Sequence, residues 1–113
     1  MTHYLISFPA SAMQVAAADM AAVGAAAQAV VREARAAGVY VFAGGLHVGV
    51  APVKVAADGS TRAETYRQTR ELDGGFCVLA LPSRDAAVQW AARLAQACRC
   101  EQELREFGND AER

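Results

Sequence analysis

The sequence has no uninterrupted apolar run of the roughly 18 residues that a membrane span needs. Its nearest approach is an Ala-rich segment broken by Asp19, Gly24 and Gln28. The opening "MTHYLISFPA" has no basic start and only a short apolar run, so it reads as a first strand rather than a signal peptide. An excess of charge is also missing. Eleven Lys and Arg stand against twelve Asp and Glu, with a pI near 6.1, which gives no reason to expect a nucleic-acid or anionic-membrane surface. Cysteine is scarce and odd in number: Cys77, Cys98 and Cys100. Cys98 and Cys100 form a C-x-C pair, which supplies only two of the four ligands of structural zinc, and His3, His47 or Cys77 would have to complete the set by folding onto it. Reduced thiols and no metal are the expectation. Neither Gly44-Gly45 nor Gly74-Gly75 precedes a helix at phosphate-loop spacing, so no nucleotide and no other cofactor is expected. No repeat or linker divides the chain. A soluble, cytoplasmic protein follows as the default.

What is present is apolar: 54% of the 113 residues, much of it Ala. That length suits one domain with one core, burying roughly 60% or more of the unfolded chain's surface. The domain is expected over 1–107, with "GNDAER" (108–113) as a polar tail.

Periodicity then orders the elements. "HYLISF" (3–8) alternates as a strand and stops at Pro9. Met20, Val23, Ala27, Val30, Val31 and Ala34 recur at helical spacing and predict a helix over 18–37. A looser turn precedes it, with Asp19 or a Ser11–Gln14 capping box as the candidate start. Gly38 is its natural stop. "VYVFAGG" (39–45) is a second strand, and "VAPVKVA" (50–56) a third, placed at an edge by Pro52. Asp58-Gly59 predicts a hairpin turn with positive φ at both residues, and 60–66 is the returning arm. "GGFCVLALP" (74–82) is the clearest strand and is apolar on both faces. Ser83 caps a second helix whose buried stripe is Ala87, Val88, Ala91, Leu94, Ala95 and Cys98. "RCEQELREF" (99–107) is a polar edge strand.

The class is therefore α+β. Without the hairpin arm the order is βαββαβ, the ferredoxin-like pattern, with an antiparallel sheet and both helices on one face. The other face of a two-sided apolar strand must also be covered, and a second copy packed sheet to sheet is the simplest cover. A homodimer is expected.

Three segments carry a family resemblance: "VREARAAGVYVFAGGL" (31–46), "DGS" (58–60) and "ELDGGFCVLALPSRDAAVQWAARL" (71–94). Together they resemble the YCII-related family, and more closely its DGPF-domain branch. That branch has a helix ending in "LRAAG", an extended "V-x-x-GG-x-L", a hairpin, the DGPF tetrapeptide, a "K-E-x-L-GG-F" turn and a helix with "EAIEWA". "ELREF" (103–107) resembles its closing "EVRPV". The order and spacing, over about three quarters of the chain, carry the resemblance. It implies a dimeric α+β barrel. It implies either a cofactor-free lyase or isomerase type of activity on a small molecule, or a non-catalytic accessory role, for example as a partner of an alternative sigma factor. The tetrapeptide itself is altered: Ala63-Glu64-Thr65-Tyr66 fills its place and keeps only the aromatic in kind. Glu64 is the available acid, but one residue along a strand reverses the face.

Candidate chemistry is sparse. His47, after a Gly-Gly-Leu strand end, is either a general base near neutral pH or an ordinary surface histidine. Asp73 either orients His47 or supports the turn at Gly74. His3 lines a pocket if its face turns towards a dimer interface, and otherwise simply sits on the sheet. Tyr66, Arg70 and Glu64 either hold an anionic or aromatic ligand or keep the hairpin solvated. Cys77 reads as an inert buried thiol.

Overall fold

The computed structural model describes residues 1–108, so the expected tail lies outside the described residues except for Gly108. The main sheet has four strands: β1 (Thr2–Phe8), β2 (Tyr40–Gly45), β5 (Gly75–Leu81) and β6 (Glu103–Glu106). Their order is β2-β5-β1-β6, with every neighbouring pair antiparallel. β3 (Lys54–Val55) and β4 (Thr61–Arg62) form a separate two-stranded hairpin. The helices are α1 (Met20–Ala36) and α2 (Arg84–Cys98). No helix among the described residues is long and apolar enough to cross a membrane.

β5 is central because it is apolar on both faces. Cys77, Leu79 and Leu81 join Tyr4 and Ile6 of β1, Ala34 of α1, and Ala87, Ala91 and Leu94 of α2 in one buried cluster. Both helices therefore cover that face. Glu33 of α1 and Arg93 of α2 pair across them. By strand alternation, Phe76, Val78 and Ala80 point the other way, beside His3, Leu5 and Ser7 of β1 and Phe42 of β2. The molecule is a slab, 42 × 41 × 20 Å.

The helix ends show why the sequence folds as it does. The Ser83 hydroxyl accepts the Ala86 N–H at 3.1 Å and starts α2. Arg99 stops it in the left-handed region, φ 58°, where glycine is the usual residue. Its guanidinium reaches Asp19 at 3.6 Å, so Asp19 serves the far end of α2 and makes no side-chain cap on α1. Instead of a Ser11–Gln14 capping box, short 3₁₀ turns at Ala10–Ala12 and Ala17–Asp19 lead into α1.

Four further expectations are corrected. The third strand does not run over 50–56; only Lys54–Val55 pairs. Pro52 has no N–H for the ladder and restricts the residue before it. The returning arm likewise pairs only at Thr61–Arg62. In the turn, Gly59 alone has positive φ, +88°; the Asp58 carboxylate instead accepts the Ser60 N–H at 2.9 Å. This is a three-residue loop with glycine in the left-handed place. The buried stripe of the second helix also differs. In α2, Val88 is exposed, and Ala97 is buried instead.

The entrance to β5 depends on Gly74. A Cβ there would meet the Phe8 carbonyl oxygen at 2.1 Å and the Ala10 nitrogen at 2.8 Å, both main-chain atoms that cannot swing aside. Gly74→Ala should destabilise the protein by about 3 kcal/mol or more, read as a fall in urea midpoint, whereas Gly24→Ala should not.

Candidate functional site

The residues singled out by sequence do not converge. His3 is buried on β1 opposite Ala80, on the face turned away from the helices. His47 and Asp73 lie beyond the Gly45–Gly75 pairing at the other end of the sheet. From Ala80 to Gly75 is roughly 17 Å along an extended strand. The Leu46 N–H donates to the Gly74 carbonyl at 3.0 Å and draws the two loops together. The side chains are nevertheless engaged elsewhere. His47 Nδ1 accepts the Gly49 N–H at 3.0 Å, and Asp73 Oδ1 accepts the Ala10 N–H at 2.9 Å. Asp73 is thus a brace between the loop after β1 and the turn into β5.

Glu64 and Tyr66 belong to the hairpin arm, and both are exposed. Glu64 is not on a strand, so strand alternation does not govern it. It lies 3.5 Å from Lys54 and 3.9 Å from Arg62. The Lys54 ammonium sits 4.4 Å from the centre of the Tyr66 ring. Glu64 and Tyr66 therefore clasp Lys54, a surface arrangement of modest energy. Arg70 is exposed, with no ion-pair partner among the described residues.

A cavity lies elsewhere, between α1 and the helix-covered face of the sheet. It measures about 570 Å³. Ile6, Phe8, Met20 and Val31 give it apolar walls, and Arg32 and Arg35 line it as well. The Arg35 guanidinium stacks 4.6 Å from the centre of the Tyr40 ring. The cavity exists because the first turns of α1 bury only Val23, while Ala34 pins its last turns to the core. Helical periodicity treated α1 as packed along its whole length and so missed this space. The available signal was Gly24, a glycine inside a helix pattern with no turn to justify it.

Cys77 and Cys98 also line this cavity. Burial, and then the neighbouring Cys98, push the Cys77 thiol from its ordinary 9.0 up to about 11. Burial also raises Cys98 and Cys100, so none of the three is poised as a thiolate. All three cysteines are free, and no cluster of three or more metal-ligating side chains occurs among the described residues.

No family model matches this chain, and no curated protein matches it.

Two outcomes follow from the geometry. Asp73→Ala should cost about 1 kcal/mol of stability in urea denaturation, and Asp73→Asn, which keeps a carbonyl acceptor, should cost less. Because the folded Cys77 is raised, its contribution is complete below pH 9.0 and is lost as pH rises towards about 11. Urea midpoints should fall over that window, less steeply in Cys77→Ala.

Proposed function

We propose that this protein is a homodimer of ferredoxin-like subunits, related to the YCII group, that binds a small molecule in the cytoplasm. The observation that carries the dimer is the apolar patch at the β2 edge of the sheet face that neither helix covers. Phe42 is 60% exposed there, beside Phe76 and Val78. A hollow of about 360 Å³ between Phe42, Gly44, Leu46 and Phe76 could receive a side chain from a second copy. The segment leading into the hairpin adds Val48 at 86% and Val50 at 66% exposure. Large apolar side chains gathered in one exposed patch mark an interaction surface. Two slabs stacked sheet to sheet, about 10 Å apart, would bury it. The strand order β2-β5-β1-β6 supports the ferredoxin-like reading.

The small-molecule reading rests on the cavity and on the resemblance. In a catalytic version, His47 is the proton-transfer group, because its Nε2 has no hydrogen-bond partner among the described residues. Asp73 is not its orienting acid. The exposed arm favours a second reading, in which the same apolar surface receives a different protein, such as a transcription factor, and the chain is an accessory module.

Sedimentation equilibrium at micromolar concentration decides between them. The dimer reading expects twice the 11.9 kDa chain mass. Phe42→Asp should raise the dissociation constant by about tenfold or more. A wild-type monomer would overturn the homodimer and leave the accessory reading.

A further inference from the structure

We propose that the cavity beneath α1 is a binding site for an amphipathic organic anion: an aliphatic or aromatic body ending in a carboxylate. The proposal rests on the small-molecule reading and gives it a place and a ligand class. At about 570 Å³ the cavity has the volume of a small-molecule site. Its walls are apolar, and two of them, Met13 and Met20, are flexible thioethers that adapt to a ligand's shape.

Its charge is of one sign. Arg32 and Arg35 line it, and no Asp or Glu does. Neither arginine has an ion-pair partner among the described residues, whereas Glu33 between them is taken by Arg93. Stacking on Tyr40 holds Arg35 in place without using its hydrogen-bonding fork, which suits a carboxylate in two-point contact.

Gly24 is the independent observation. It lies inside α1, where glycine costs about 1 kcal/mol relative to alanine. A Cβ at Gly24 would meet nothing within 4 Å, and its φ is not in the left-handed region. Neither packing nor backbone conformation requires glycine there. What glycine does is leave the cavity open.

The experiment is calorimetric titration of the full chain with decanoate, and with 1-decanol as the neutral counterpart. Expected are saturable binding of one decanoate per chain and at least tenfold weaker binding of 1-decanol. Arg32→Gln/Arg35→Gln should erase that discrimination, and these are exposed helix positions that the fold tolerates. Gly24→Leu should abolish binding while thermal stability is kept or raised. No saturable binding of decanoate, equal affinity for 1-decanol, or unchanged binding in Gly24→Leu would each overturn the proposal. A different ligand, found by thermal-shift screening and unaffected by Gly24→Leu, would overturn this site and leave small-molecule binding intact. The dimer is tested separately by mass.

Discussion

The seven-residue ladder between β1 and β5, running from Thr2 opposite Leu81 to Phe8 opposite Gly75, is the constraint on which the other elements depend. Its register places Tyr4, Ile6, Cys77, Leu79 and Leu81 on one face, and a slip of one residue would turn that whole set away from the helices. β2 and β6 extend the sheet to either side. The close passage of Gly74 beneath Phe8 and the Asp73 bond to Ala10 lock the end of the ladder. The end of the sheet nearest Asp73 is thus held firmly, but by a bond that already occupies the Asp73 carboxylate.

Two kinds of surface result. The helix face is closed where Ala34, Ala87 and Leu94 descend on the ladder, and hollow where the first turns of α1 stand away from it. The opposite face is covered by neither helix, and Phe42 stands exposed at its β2 edge. Core stability, the cavity and the apolar sheet surface all derive from one strand that is apolar in both directions.

The elements that pack on this ladder were legible in sequence because their patterns are local and strong. Two-sided apolarity marked β5, Ser83 marked the start of α2, and Gly38 marked the end of α1. The hairpin was legible only as a turn. Its strands shrink to two residues each because Pro52 withholds a donor and Glu64 lies past the last paired residue. The candidate site was legible least of all. Spacing places His47 and Asp73 in neighbouring loops, but the direction of a side chain in a loop is set by hydrogen bonds to Gly49 and Ala10, which no periodicity encodes. The cavity escaped for the opposite reason. A helix pattern names the side that faces inward but not whether anything meets it.

The hairpin arm contributes almost nothing to the interior: of residues 46–66, only Lys54 and Thr65 are even partly shielded from water. A segment with so little stake in the core can be rewritten at little cost to folding. Ala63-Glu64-Thr65-Tyr66 can therefore vary in chemistry while the ladder behind it stays the same. The chain thus divides into a sheet answerable to its own packing and an arm answerable only to whatever it meets outside the chain.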